Sequence, residues 1–179
     1  MITTERLFIR NLVEEDRPMV FKLYRKDRCF ENDSECQRII DNILWEEITA
    51  ENICNGIIFL SDTKEFVGKV CVQFTDRKIP EVGIDILENH RNKGYGPEAV
   101  VGFLSWFSKE YNINKFKVKI FKDNKHSIHV FEKLGAEFVK SAPGFNKELI
   151  NKISEKLPDE DLSKLYEENI NEYILNIPI

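Results

Sequence analysis

Alternating apolar and polar residues predict the strands of this chain. The clearest alternation runs from Lys115 to Phe121, where Phe116, Val118 and Ile120 would face one side and three lysines the other. A strand with one buried face has this pattern. Shorter runs of the same kind predict further strands near Leu7–Leu12, Ile57–Leu60, Glu65–Phe74, Glu81–Leu87, Glu137–Ser141 and Tyr173–Ile177.

Apolar residues three and four positions apart predict the helices between these strands. Gly135 follows one such stretch and is expected at its C′ position, where a left-handed residue ends a helix. The predicted order of strands and helices indicates a mixed sheet with helices on its faces, an α+β fold. The expected helical stretches are Glu14–Tyr24, Ser34–Thr49, Glu98–Glu110, Lys125–Leu134 and, broken at Pro158, Asn146–Asn169.

Length and composition restrict the class of protein. A chain of 179 residues with 42% hydrophobic residues predicts one folded domain, spanning 1–179. No apolar run approaches the roughly 18 residues of a membrane span, and the first residues lack the pattern of a signal peptide. We therefore expect a cytoplasmic protein with four reduced cysteines and no membrane partner. The net charge of −5 argues against nucleic-acid binding.

A glycine-containing turn separates the strand Glu81–Leu87 from the helix after it. Gly94 and Gly96 allow sharp backbone turning and close approach of a ligand, and we expect Pro97 at the first helical position. A helix N-terminus after a strand presents unpaired N–H groups to an anion such as phosphate. The alternative is a tight turn without a ligand. The segment consists of Arg91, Asn92, Lys93, Gly94, Tyr95, Gly96 and Pro97.

Three segments together resemble the GNAT superfamily of acyl-CoA-dependent N-acyltransferases. Arg91–Gly96 matches its R/Q-x-x-G-x-G/A signature, and Asn124–Ser127 with Phe131–Ala136 is similar to its N-x-x-S…E-K-L-G-A/F landmark. The opening Thr3–Arg10 resembles the subgroup of ribosomal-protein N-terminal acetyltransferases. The resemblance implies a GNAT fold, with a mixed, mostly antiparallel twisted sheet of about seven strands flanked by helices. It also implies a helical insert before the last strand.

The resemblance also implies how acetyl-CoA, the acyl donor, would be held. The amides of the turn, with Arg91 and Lys93, would bind the CoA pyrophosphate. The pantetheine arm would lie where the strand before the turn diverges from the strand Lys115–Phe121. The residues expected to contact acetyl-CoA are Ile86, Leu87, Arg91, Asn92, Lys93, Gly94, Tyr95, Gly96, Pro97, Asn124 and Ser127.

One catalytic role is implied by the resemblance and another by the chemistry of acetyl transfer. The resemblance implies that Ser127 could donate a proton to the departing thiolate. Many relatives place a tyrosine where this chain has Phe131, which has no proton to give. An amine must lose a proton before it attacks, and Glu81 or Asp85, on one face of a strand, could accept it. Glu81 corresponds to a glutamate frequent in the family. The alternative for each carboxylate is a solvated or salt-bridged surface role.

The sequence thus predicts transfer of an acetyl group to a primary amine of a small molecule or a protein N-terminus. The alternative function is a catalytically inactive, CoA-binding regulatory module of the same fold. We expect a monomer or homodimer without a metal site, because two histidines without a nearby third ligand rarely hold a metal. The acidic segment Phe145–Asn171 could border the acceptor site or be a packed surface helix pair.

Overall fold

A computed structural model describes residues 1–24, 34–74, 79–143, 151, 154–155 and 169–178 of the chain. Eight strands form one sheet, in the order β1-β2-β3-β4-β5-β6-β8-β7. Every neighbouring pair is antiparallel except β5 and β6. The strands are β1 (Ile2–Thr3), β2 (Leu7–Asn11), β3 (Ile53–Leu60), β4 (Phe66–Gln73), β5 (Glu81–Ile86), β6 (Lys115–Phe121), β7 (Glu137–Pro143) and β8 (Asn169–Asn176).

Four α-helices accompany this sheet within the described ranges. The predicted first helix is shorter than expected: α1 has four residues and lies between the 3-10 turns Glu14–Asp16 and Phe21–Leu23. No helix of the described residues is long and apolar enough to cross a membrane. The expected insert between 145 and 170 lies almost wholly outside the described residues. The helices are α1 (Arg17–Val20), α2 (Ser34–Ile48), α3 (Tyr95–Tyr111) and α4 (Lys125–Lys133).

Helices cover both faces of the sheet, as the α+β prediction requires. On one face α3 buries Phe103 and Phe107 against strand residues such as Ile9 and Val70. On the other face a smaller cluster joins the segment after β2 and α2 to β3 and β4. That cluster contains Val20, Phe21, Trp45, Ile48, Ile57, Phe59 and Phe66.

The hairpin of β3 and β4 contains a register shift that the sequence did not reveal. Strict alternation predicts that Phe66 shares a face with Val70 and Val72. The shift between Ile58 and Phe59 instead places Phe66 in the opposite cluster, with its ring 6.0 Å from that of Phe59. This prediction was wrong because a bulge adds one residue to a strand and reverses the side chains beyond it.

The parallel neighbours β5 and β6 run together for only a short distance. Their register pairs Glu81 with Lys117 and Val82 with Val118, and the Lys117 amide donates to the Pro80 carbonyl at 2.8 Å. From Gly83 onward β5 stays paired with β4 but has no partner on β6 among the described residues. The carboxyl ends of the two strands therefore diverge, and each leads to the N-terminus of a helix, α3 or α4.

Candidate functional site

The glycine turn after β5 is shaped by two left-handed residues. Asn92 has φ 61° and Gly94 has φ 81°, a region that asparagine tolerates and glycine enters freely. Gly94 is the N-cap of α3, which begins at Tyr95. Pro97 is therefore the third helical residue, and its predicted first position was wrong. The first turn of α3 keeps amide N–H groups at Tyr95 and Gly96, and no side chain caps them.

Gly94 and Gly96 serve this turn for different reasons. Gly94 needs its left-handed backbone, and a Cβ there would lie 3.2 Å from Nη2 of Arg6. Gly96 has no positive φ, and its nearest neighbour for a Cβ would be Cγ1 of Ile86, at an ordinary contact distance of 3.8 Å. The chain itself therefore does not require glycine at 96. The missing side chain leaves this helix N-terminus accessible to an anion, which fits the phosphates of CoA.

An ion pair from the start of the chain holds the turn in place. Oε2 of Glu98 accepts Nε of Arg6 at 2.7 Å, and Oε1 accepts the Arg6 amide at 2.8 Å and the Thr4 hydroxyl at 2.6 Å. Arg6 also donates to the Lys93 carbonyl at 3.0 Å and lies over the ring of Tyr95. Burial alone would raise the pKa of Glu98, but the hydrogen bonds from Thr4 and Arg6 outweigh it and lower that pKa.

From the sequence, the opening Thr3–Arg10 was recognised only as a family resemblance. The hydrogen bonds by which Thr4 and Arg6 hold Glu98, which we call the clamp, were not predicted. One feature of the sequence could have drawn attention to Glu98: it is a glutamate in the first turn of α3, where a negative charge stabilises a helix. The sequence could not identify Arg6 as the partner of Glu98, because the two residues are 92 positions apart in the chain.

Backbone hydrogen bonds at the end of β5 show which of the two predicted pantetheine contacts, Ile86 and Leu87, keeps a free amide N–H. The Leu87 amide donates to the Val67 carbonyl at 2.9 Å, and the Leu87 carbonyl accepts the His90 amide. Leu87 therefore has no spare amide donor, and the expectation for it needs this correction. Strand alternation turns the Ile86 N–H toward the diverging side. The Ile86 carbonyl accepts Nε of Arg91 at 3.0 Å.

Positive side chains lie beside this end of β5. Arg91 and Lys93 are both exposed. The Arg91 guanidinium uses Nε for the Ile86 carbonyl, and its Nη groups have no partner within the described residues. A guanidinium with free N–H groups suits a phosphate, which accepts two parallel hydrogen bonds.

The N-terminus of α4 lies at the same end of the sheet, after β6. Asn124 is the N-cap of α4, and its Oδ1 accepts the Ser127 amide at 3.0 Å. That oxygen already has a partner, whereas the Ser127 hydroxyl has none among the described residues. Phe131 is 3% exposed and belongs to the main core, so a hydroxyl-free side chain there packs with other apolar residues.

The two candidate bases on β5 have different partners. Glu81 pairs with the Lys119 ammonium at 2.8 Å. Asp85 accepts the Tyr24 hydroxyl at 3.1 Å, and its carboxylate is 43% exposed. The neighbouring lysine row of β6 was expected to be a solvated face, and Lys115 and Lys119 are exposed. The expectation is wrong only for Lys117, which is buried, because alternation along a strand does not show where other elements cover it.

The structure places the His90 side chain inside the protein. It is 4% exposed, with Nε2 at 3.1 Å from Oε1 of Glu65 and its ring 6.0 Å from that of Tyr95. The 3-10 turn Glu88–His90 directs the ring inward, toward the hairpin of β3 and β4. Among the described residues, no group of three His, Cys, Asp or Glu side chains could hold a metal ion.

A cavity of about 440 Å³ lies elsewhere in the molecule. It borders the last residues of β2 and α3, such as Asn11 and Tyr111, and the first of β3. The glycine turn contacts the opposite ends of β2 and α3, through Arg6 and Glu98. The cavity therefore does not belong to the site at the diverging strands.

Comparisons with known proteins agree with this geometry. A model of the GNAT acetyltransferase domain matches residues 6–137. The "N-acetyltransferase 9-like protein" of Caenorhabditis briggsae is 36% identical over 105 residues, 58% of this chain and 50% of its own length. The "Uncharacterized N-acetyltransferase p20" of Bacillus licheniformis is 27% identical over 143 residues, 73% of this chain and 79% of its own.

A solved structure extends the similarity to the whole fold. It is described as a ribosomal-protein-serine acetyltransferase from Vibrio cholerae, and it is 18% identical with a TM-score of 0.65. The superposition covers 99% of this chain and 97% of the other. The diverging parallel strands, the glycine turn and the matching family model lead to one conclusion: this chain belongs to the GNAT acetyltransferases.

Proposed function

We propose that the chain transfers an acetyl group from acetyl-CoA to a primary amine, on a small molecule or a protein N-terminus. The observation that carries this proposal is the end of β5–β6 pairing at Val82. It leaves the edge Gly83–Ile86 open beside a helix N-terminus. An extended pantetheine arm can pair with such a strand edge, in the manner of an added β-strand.

The residues of the turn would bind the diphosphate of CoA. The amides of Tyr95 and Gly96 supply N–H groups at the positive end of the α3 dipole. Arg91 and Lys93 add charge, and the clamp of Arg6 and Glu98 keeps the turn in one conformation before the ligand arrives. A site that is already ordered loses less conformational entropy on binding.

Other residues would act on the transferred group. The thioester of acetyl-CoA supplies the activated acetyl group. The Ile86 N–H, directed to the diverging side, would donate to the acetyl oxygen as negative charge develops there. The Ser127 hydroxyl would donate a proton to the leaving sulfur. Glu81 or Asp85 would accept the proton that the amine must lose, because an alkyl amine has a reference pKa of about 10.4.

Thiol release tests this function directly. Purified protein is mixed with acetyl-CoA and a panel of amines and N-terminal peptides, and free CoA is measured with time. We expect release that depends on the amine, with mass spectrometry showing one added acetyl group on the product. Tight CoA binding by calorimetry without release for any amine would instead support the inactive CoA-binding module, which Phe131 in place of a tyrosine would permit.

A further inference from the structure

Asp85 occupies a distinctive place on β5. It lies three residues beyond Val82, the last residue paired with β6, so it belongs to the diverging part of the strand. Its register partner on β4 is Lys69. Its side chain lies on the sheet face covered by the segment after β2, which includes Tyr24. An acceptor that approaches the open edge of β5 from this face meets the Asp85 carboxylate.

The contacts of Asp85 leave one carboxylate oxygen available. The Tyr24 hydroxyl donates to Oδ2 at 3.1 Å, and the Lys69 ammonium is 3.9 Å from the same oxygen. Oδ1 has no hydrogen-bond partner within the described parts of the chain. With 43% of the side chain exposed, this oxygen can accept an N–H from a ligand.

Lys69 is an unusual neighbour for a carboxylate, because it is almost fully buried. It lies on a central strand with only 5% of its surface exposed. Burial acts to lower the pKa of its ammonium, but Cys71, Tyr24 and Asp85 act against burial and raise that pKa. Asp85 is the only carboxylate among them. A buried ammonium without a paired charge is strongly destabilising, so Lys69 depends on Asp85.

Glu81 has a different environment on the same strand. Its position pairs on both sides, with Gln73 of β4 and Lys117 of β6. Its carboxylate contacts the Lys119 ammonium at 2.8 Å and is 20% exposed. It therefore lies where the strands are still joined and already has a charged partner. Asp85 is the more exposed carboxylate and the one beside the open edge.

We propose that Asp85 is the carboxylate that receives the acceptor amine, and that Tyr24 and Lys69 are its positioning residues. This inference rests on the proposed acetyl transfer. The amine arrives as an ammonium, pairs with Asp85 and gives it one proton, directly or through water. The neutral nitrogen then forms a bond to the acetyl carbon and the carbon–sulfur bond breaks. The thiolate takes up the Ser127 hydroxyl proton, and the serine recovers a proton from the second N–H that the nitrogen loses as it becomes an amide. The Asp85 proton finally passes to solvent.

The first experiment compares Asp85→Asn with Glu81→Gln at saturating acetyl-CoA. Because a general base contributes roughly 10²–10⁴-fold to rate, we expect kcat/KM for the amine to fall at least about tenfold in Asp85→Asn. The fall in Glu81→Gln should be smaller. Calorimetry should show unchanged CoA affinity in both variants. A normal kcat/KM in Asp85→Asn, together with an inactive Glu81→Gln, would overturn the inference while leaving acetyl transfer intact.

The second experiment tests positioning with a double-mutant cycle. Tyr24→Phe removes one hydroxyl, and we expect it to lower kcat about threefold with KM for acetyl-CoA unchanged. In an Asp85→Asn background the same change should have no further effect, because it acts through Asp85. Equal losses in both backgrounds would overturn the positioning role. Tyr111→Phe, at the far end of α3, controls for the loss of a tyrosine hydroxyl.

Lys69→Met adds a third arm that does not depend on Tyr24. Methionine is close to lysine in length, and the Asp85 carboxylate that remains is 43% exposed, so the variant leaves no buried charge unpaired. We expect a lower kcat than in the wild type, and no added loss in Asp85→Asn. A wild type that releases no thiol with any amine overturns acetyl transfer and this inference together. An active wild type with an unaffected Asp85→Asn overturns only the inference.

Discussion

The two sides of the diverging strands are constructed differently. On the side of α3, the glycine turn offers backbone amides, and one ion pair between Arg6 and Glu98 fixes its position. On the side of α1, the candidate acceptor face consists of side chains from three separate elements. There the Tyr24 hydroxyl and the buried Lys69 ammonium converge on Asp85.

The difference follows from what each side would bind. Every CoA molecule presents the same diphosphate, and a helix N-terminus with glycines recognises it through groups that all residues share. An acceptor amine offers only a nitrogen and its protons, so a carboxylate has to be supplied and oriented by side chains. We therefore expect backbone changes to affect donor binding, and side-chain changes on the other face to affect turnover.

The largest effect on the turn side should come from Gly96→Val. The chain has room for a Cβ at this position, so the variant should fold, while its branched side chain would occupy the place of the phosphates. We expect CoA affinity to fall at least about tenfold, which corresponds to roughly 1.4 kcal/mol. Calorimetry measures it, with Ser105→Val on the same helix as the control for valine. Unchanged affinity would remove this turn from the site.

A change of about tenfold in kcat is expected for Ser127→Ala. A proton donor to the leaving sulfur acts mainly in the transition state, so its loss should lower kcat more than CoA affinity. Steady-state kinetics with Ser105→Ala as the control decides this. If kcat is normal in Ser127→Ala, the serine has no acid role and remains a residue of the α4 cap.

A smaller effect should follow from Glu98→Gln. Glutamine keeps one carbonyl oxygen for the Thr4 hydroxyl or the Arg6 amide but loses the charge that pairs with Arg6. We expect CoA affinity to fall about threefold, because a looser turn loses more entropy on binding. At saturating acetyl-CoA, kcat should be unchanged. Glu110→Gln, exposed on the last turns of the same helix, is the matched control.

The smallest expected effect is the dependence of this clamp on pH. The folded pKa of Glu98 lies below its ordinary value of 4.5, owing to its hydrogen bonds with Thr4 and Arg6, which outweigh burial. The stability it adds is therefore present above about pH 4.5 and is lost as the pH falls through the folded pKa. The difference in unfolding free energy between the wild type and Glu98→Gln should shrink in acid. A difference that is constant with pH would contradict the charge pairing.

The sequence predicted the parts of this fold whose signal is local. Strand β6 was predicted with its observed bounds, because Phe116, Val118 and Ile120 alternate with lysines. Gly135 was predicted as the residue after α4, and it has φ 88°. The turn at Gly94 was also predicted, since a left-handed residue before a helix has a strong local signature. Only its exact helix start differed.

The parts that the sequence did not predict depend on distant residues. Nothing near Lys69 in the chain shows that it is buried beside Tyr24 and Asp85, because three elements meet only in the folded sheet. The inward position of His90 and the clamp of Arg6 on Glu98 are of the same kind. Periodicity describes only residues that are near one another in the chain. It therefore cannot predict contacts between distant residues, such as Arg6 and Glu98, which are 92 positions apart.

Amide hydrogen exchange with and without acetyl-CoA tests the central claim, that the open edge of β5 and the turn beside it hold the donor. We predict that acetyl-CoA slows exchange at Ile86, Tyr95 and Gly96. The amides of Ile53 and Cys54, at the separate cavity, should be unchanged. Slowed exchange at Ile53 and Cys54 without any change at Ile86 and Gly96 would contradict the account.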